Sequence, residues 1–404
     1  MPRQCEKGFI QAHLDFTRNQ QSPSCFHIWT AIGIISAVLG RKVWMPSSGS
    51  ATEPGYYDIY PNLYTVLVSP SGVGMKGTAL SQGIDLLDAS GVPVDILRGK
   101  ISATRLITRL AAGSLLNSNG DAELLVFSRE FKVFTKGVMQ DSSLIEDLTD
   151  LYDNQIFDYE TEHSVRQQIK RPCVGIIAAS TPEWLSGGSA NDLMSGGFGA
   201  RTLPISVIKD EREIAWATKT KLEKGYEEKL IEDLKQIGEL KGRYYVTTAA
   251  KEFFQEWYVN RKALRTQLDS RLDGYYAKKH EQMRKLAIVL AASFSNEMVV
   301  DLPHMEMAKY LLEENEKNIL FAYSGAAAAT EVKYRDQIIA RIKDKGEITH
   351  TELAQYFYHG LGRKGLREVI YGLIEEGVVE AEQRKTKTKP IIIYKWKEGE
   401  KESD

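Results

Sequence analysis

One short segment, Ser69-Pro-Ser-Gly-Val-Gly-Met-Lys-Gly-Thr78, holds the residue types needed to grip a phosphate chain. Gly72 and Gly74 let consecutive backbone N–H groups curl around an anion. Lys76 can reach the outer phosphates, and Thr78 opens the following helix with a hydroxyl suited to magnesium. Ser71 and Gly77 complete the predicted loop. The spacing departs from G-x-x-x-x-G-K-[ST]. With Lys76 as the motif lysine, Pro70 stands at the first glycine, Met75 at the second and Gly77 at the hydroxyl, and Thr78 comes one residue late. The flanks restore the reading, because an apolar, β-branched run over 63–68 precedes the loop and a helical pattern over 78–87 follows it. An ordinary glycine-rich turn between strand and helix is the alternative.

Hydrolysis of a bound nucleotide also needs a carboxylate at a neighbouring strand end, to hold magnesium or orient the attacking water. The apolar strand pattern over 122–127 leads to Arg129 and Glu130. Glu130 is the candidate, while Arg129 occupies the position where many such enzymes carry Asp. Asp147, Asp150 and Asp153, on or just after a predicted helix over 144–152, are further candidates for the metal. A third strand pattern, 174–179, ends in Ser180 and Thr181, hydroxyls that can sense a phosphate or cap the next helix. After Gly196-Gly-Phe-Gly-Ala comes Arg201. An arginine delivered to a neighbour's phosphates accelerates transfer by about 10³ to 10⁵; an internal salt bridge is the competing role.

Strand and helix patterns alternate from 61 to 209, which implies a parallel sheet covered on both faces. Ligands of such sheets sit at the carboxyl ends of the strands, where the glycine loop falls. The expected fold is therefore an α/β P-loop NTPase core with a RecA/AAA+-like parallel sheet at 61–209, preceded by an N-terminal helical region at 1–60. Aromatic and aliphatic residues at helical spacing in that first region, Phe9, Phe16, Phe26, Trp29, Ile32 and Ile35 among them, read as core. Beyond Lys209 a charged, helix-periodic region predicts a helical domain at 210–333, with its most apolar helix over 283–294 and a hinge or helix end over 324–330. The last region, 334–398, reads as three helices and a two-stranded hairpin, a winged helix. From 334 to 397 it holds thirteen Lys/Arg against nine Asp/Glu, so it is basic although the 404-residue chain carries a formal charge of −2. Arg363, Lys364 and Arg367 on its third helix, and Arg384, Lys385, Lys387 and Lys389 on its wing, are candidates for DNA contact. A solvated basic hairpin tip is the plain alternative.

No run approaches the roughly 18 apolar residues of a membrane span, and the start of the chain lacks a secretory pattern. The three cysteines, Cys5, Cys25 and Cys173, are far apart, which fits a reducing compartment and no metal cluster. These features point to a bacterial or host-cell cytoplasm.

Several stretches, in order, resemble a family of bacteriophage and prophage P-loop proteins. They are Pro23-Ser-Cys-Phe-His-Ile-Trp29, Leu39-Gly-Arg41, Ser69 through Leu80, Phe127-Ser-Arg-Glu-Phe131, Ala178-Ala-Ser-Thr-Pro-Glu-Trp-Leu185 and Gly197-Phe-Gly-Ala-Arg201. Members of that family are described as helicase-like replication ATPases and are often fused or linked to primase-polymerase domains. The resemblance spans about 9–290, and its more specific parts are Thr181-Pro-Glu-Trp-Leu185 and the Lys76-Gly-Thr-Ala79 variant of the loop. It implies binding of ATP and Mg2+ by Lys76 and Thr78, a catalytic Glu130, a sensor at Ser180 or Thr181, and an Arg201 that bridges subunits. It further implies a ring-forming homo-oligomer, a hexamer being one form, acting on single-stranded or forked DNA, with a primase or polymerase as partner. Arg129 and Met75 depart from the pattern of vigorous ATPases, so a DNA-binding replication or recombination protein with a slow or inactive nucleotide site is the alternative.

Overall fold

The computed structural model describes residues 3–50, 52–134, 143–161, 164–185, 196–265, 272–322, 325–384 and 391–397. The chain forms two compact units, Met1–Tyr323 and Ser324–Asp404. The boundaries expected at 60/61 and 209/210 thus fall inside one unit, whose apolar core runs from the N-terminal helices through the sheet into the later helices.

At the centre of the first unit lies a five-stranded sheet, with all strands parallel: β1 (Tyr64–Val68), β2 (Ile96–Arg98), β3 (Asp121–Ser128), β4 (Arg171–Ser180) and β5 (Thr202–Ser206). Their spatial order is β2-β3-β4-β1-β5. This is an α/β core of the P-loop type. β1 lies between β4 and β5 and is buried along its whole length, which explains its unbroken apolar run rather than an alternating one. The register fixes what happens at the carboxyl ends. Val68, Ser180 and Ser206 are level with one another, and Ser128 is level with Ala178, two residues behind. Glu130 follows two residues past Ser128, in the bend after the paired part of β3.

Helices α1 (Phe9–Thr17), α2 (Ser24–Leu39) and α3 (Lys76–Ser90) build one side of the core. α2 is apolar nearly all round because it is packed on all sides. Its approach to α3 needs a glycine: a Cβ on Gly83 would lie 2.3 Å from Ile34 Cδ1 and 2.4 Å from Thr30 Cγ2. The predicted apolar segment over 283–294 lies within α4 (Asp273–Phe294), which packs on the helix Leu302–Ala322. The helix Lys221–Gly238 starts on a reciprocal cap in which the Thr220 N–H donates to Glu223 and the Glu223 N–H donates to the Thr220 hydroxyl. The antiparallel hairpin of Phe157–Thr161 with Ser164–Ile169 is an element beyond the expected strands. The helix expected near Asn191 lies outside the described residues.

The second unit comprises the helix Gly325–Lys345, the strand Glu347–Thr349, the helix His350–Glu375 and the strands Val379–Arg384 and Ile391–Trp396. The alanine-rich stretch taken as a hinge or helix end is the start of its first helix. The long helix is broken at Gly362, whose φ of +64° divides it into the second and third expected helices. Thr349 caps it reciprocally with Glu352. Strand Ile391–Trp396 lies between the other two, and Ile338, Ile342, Leu353, Leu366, Ile370 and Tyr394 form a separate small core.

Candidate nucleotide-binding site

β1 ends at Val68, and the chain turns through Ser69–Met75 into α3. The turn is built from left-handed backbone at Gly72 (φ +81°), Gly74 (φ +74°) and Met75 (φ +44°). Met75 pays the steric cost of that conformation as a non-glycine residue. Gly74 cannot be replaced so simply, since a Cβ there would lie 2.8 Å from Phe26 Cε2. The Ser69 hydroxyl donates to Val73 O at 2.6 Å and the Ser22 hydroxyl to Met75 O at 3.1 Å, which fixes the loop from both sides. No side chain caps α3. The N–H groups of Met75, Lys76 and Gly77 meet no protein acceptor among the described residues. Open amides at a helix start, with the positive end of the helix dipole behind them, attract an anion.

The loop already holds a negative charge. The Gly74 N–H donates to Asp210 Oδ1 at 2.8 Å. The turn thus already presents an N–H group to an anion, the kind of partner that such backbone concavities attract. Lys76 is folded back onto the loop. Its Nζ donates to Ser69 O and Ser69 Oγ, both at 2.8 Å, and to Pro70 O at 3.2 Å. Burial pulls its ammonium down to about 8, against the opposing charges of Glu183, Asp210 and Glu130.

A cleft of about 680 Å³ opens beside the loop. It is lined by Ser71, Gly72, Lys76, Gly77 and Thr78 from the loop and α3, by Arg129 and Glu130 after β3, and by Ser180, Thr181 and Trp184 after β4. The candidate loop, the carboxylate and the two hydroxyls expected from sequence therefore meet in one place. Thr78 and Glu130 are exposed to the cleft, whereas Ser180 is buried with its hydroxyl 3.4 Å from Thr181 O. Thr78, which lines the same cleft as Glu130, is the hydroxyl expected to meet a magnesium ion. Arg129 lies against the start of α3, its Cδ 4.0 Å from where a Gly77 Cβ would be.

Other expected residues are elsewhere. Asp147, Asp150 and Asp153 do not line the cleft. Asp153 accepts hydrogen bonds from Arg201 and from Lys278 Nζ, the latter at 2.9 Å. Arg201 immediately precedes β5, whose first residue is level with Tyr64 at the start of β1. Arg201 and Asp153 are therefore at the amino end of the sheet, about five residues or 16 Å from the loop level. Asp153 cannot serve as a metal ligand beside Lys76 in its own subunit. Around it, Lys278 bonds Glu281 at 3.0 Å, and the buried Lys285 donates to Asn62 Oδ1 at 2.8 Å and lies over the Tyr152 ring at 3.8 Å. Sequence reading also overlooked Asp210 and Glu183. The signal for Asp210 was its place four residues after β5, on the strand-end side that β1 shares with the loop.

In the second unit, Arg363 and Arg367 are exposed one turn apart and border a groove with His350, Thr351 and Gln355. Arg384, at the end of the strand Val379–Arg384, is engaged by its own unit, bonding Glu347 at 3.1 and 2.9 Å and Glu382 at 3.0 and 3.1 Å. Lys385, Lys387, Lys389 and the side chain of Lys364 lie outside the described residues. Among the described residues, no helix is long and apolar enough to cross a membrane.

No family model matches the chain, and no curated protein matches it. Among solved structures it is similar to a full-length MCM homologue from Methanopyrus kandleri, with a TM-score of 0.40 and 12% sequence identity. The match covers 76% of this chain and 60% of that one, a likeness too distant to carry a functional argument.

Proposed function

We propose that the first unit binds ATP with Mg2+ at the glycine loop and hydrolyses it. On this reading the chain is an ATP-dependent, helicase-like motor of phage or mobile-element DNA replication that assembles as a ring of identical subunits. The supporting observation is the convergence of the loop amides, Lys76, Glu130 and the Ser180–Thr181 hydroxyls at the carboxyl ends of three adjacent parallel strands. Bound magnesium would supply positive charge between the outer phosphates. Thr78 and Glu130 are the residues to hold it. Lys76 turns from the Ser69 and Pro70 carbonyls to the phosphates, Glu130 orients the attacking water, and Ser180 or Thr181 senses the terminal phosphate. Arg201 reaches no phosphate of its own subunit. It would act on a neighbour's, after leaving Asp153. The second unit reads as a winged helix that takes single-stranded or forked DNA through Arg363, Lys364 and Arg367, with Arg384, Lys385, Lys387 and Lys389 on the wing. A primase or polymerase is the partner suggested by the family resemblance.

One observation favours a second reading. Arg129 brings a cation, not a carboxylate, to the start of α3, which suits a slow nucleotide switch in a DNA-binding replication protein. The two readings share the binding step and differ in turnover. Calorimetry with Mg-ATP should register binding to the wild type and at least a tenfold loss, about 1.4 kcal/mol, in Lys76→Ala. ATP turnover that rises with single-stranded DNA selects the motor, and binding without turnover selects the switch. No heat of binding from folded protein would eliminate both.

A further inference from the structure

The segment after β5 crosses the glycine loop as a strap and is tied down at each step. The Val207 N–H donates to Val68 O at 2.9 Å, which fixes the strap's origin beside the end of β1. Asp210 Oδ1 then accepts from Gly74 at 2.8 Å. Glu211 Oε2 accepts from the Ser24 N–H at 3.4 Å, and Arg212 donates to Arg18 O at 2.8 Å and Ser22 O at 2.9 Å. Ser22 in turn donates to Met75 O, closing a ring of contacts from strap to N-terminal helices to loop. The loop amide is thus engaged by an anion that belongs to the chain itself.

We propose that Asp210 is an affinity-determining residue of the nucleotide site, an internal anion that competes with the ligand's phosphates for the loop. The proposal rests on the nucleotide reading above and adds to it the competitor. A phosphate chain brought to the loop would face the Asp210 charge at close range, and two negative charges in a partly enclosed site repel strongly. Entry of the phosphates therefore lifts Asp210 from Gly74. The strap is linked through Arg212 to the carbonyls of Arg18 and Ser22, so the same displacement loosens the join between the strap and the segment linking α1 to α2. Competition is directed at the phosphates, so it acts alike on any ligand that offers a phosphate chain, whatever its base.

Asp210→Asn removes the charge and keeps an oxygen that can accept from Gly74. Isothermal titration of the full chain with Mg-ATP and, separately, with magnesium pyrophosphate should give affinities about tenfold tighter than wild type, by a similar factor for both ligands. Arg212→Ala unties the strap from Arg18 and Ser22 while leaving Asp210 in place, and should shift both affinities in the same direction. Hydrogen exchange of the peptide spanning 71–78 should quicken in both variants without ligand. Unchanged or weaker binding by Asp210→Asn, with wild type still binding, overturns the competitor and leaves the nucleotide site standing. Failure of wild type and variants alike to bind either ligand overturns the nucleotide reading and the competitor together. Tightening for ATP but not pyrophosphate overturns the assignment of the effect to the phosphate cradle.

Discussion

Lys76 makes the affinity for ATP depend on pH in a direction that can be worked out from its surroundings. Burial places its ammonium at about 8 in the ligand-free protein. A bound phosphate chain is a new negative partner for that ammonium, so the bound state holds the proton more tightly and its pKa is higher. The ligand therefore binds best where the free lysine is already protonated, and affinity falls as pH rises through about 8. At pH 7 about ten lysines in eleven carry the proton, and at pH 9 about one in eleven does, which corresponds to an affinity loss approaching tenfold. The ligand's own charge changes little over that range, because the last phosphate ionisation has its midpoint near pH 6. The assay is calorimetry of Mg-ATP binding at pH 7, 8 and 9 in pairs of buffers with different ionisation heats. Proton uptake should rise from near zero at pH 7 towards one per ATP at pH 9, and Lys76→Met should show neither the uptake nor the slope. Binding at pH 9 within twofold of that at pH 7, with no proton taken up, would refute the assignment of this lysine to the phosphates.

Two further outcomes are expected. His13 and His27 are buried with ring centroids 5.7 Å apart, and burial pulls them down to about 4 and about 3. Both are depressed below the unfolded value, so their contribution is fully present above pH 6.5 and lost on acidification, by about 3.5 kcal/mol in all between pH 7 and pH 5. Denaturant titrations at those two pH values check it, and equal stabilities would contradict the burial argument. In the second unit, Arg363→Ala and Arg367→Ala should each lower the slope of log affinity against log salt by about 0.9 on duplex DNA. Mg-ATP affinity should stay the same; an unchanged slope removes that arginine from the DNA contact.

The candidate site of the first unit is legible where it is coded locally. The β-branched run of β1, the glycines of the loop and the hydroxyl pair after β4 each announce themselves within ten residues, and parallel pairing then brings them together. Arg201 was legible as a residue and only partly as a place. Its place at the start of a predicted strand already hinted at the amino end, and the register of β5 against β1 sets it level with the start of β1. Asp210 is harder to read, since its place after β5 puts it on the loop's side of the sheet but does not single out a glycine 136 positions earlier. The hairpin of Phe157–Thr161 with Ser164–Ile169 carries a short apolar–polar alternation over Phe157-Asp-Tyr-Glu160, but Arg166, Gln167 and Gln168 interrupt the pattern in the second strand, so only half of the pair can be read locally. The divisions expected at 60/61 and 209/210 rest on composition shifts, which mark changes of element type. They do not mark a break in the apolar core, which continues across both.

The positions of Lys76 and Arg201 at opposite poles of one sheet have a geometric consequence. Two copies related by a twofold axis present the same patch to each other, so a joint that set one copy's arginine pole on the other's glycine pole would not be of that kind. Such a joint is head-to-tail, and it leaves one unused pole at each end of every partial assembly. Addition of subunits then has a polarity, and the rotation between neighbours alone decides between a closed circle and an open spiral.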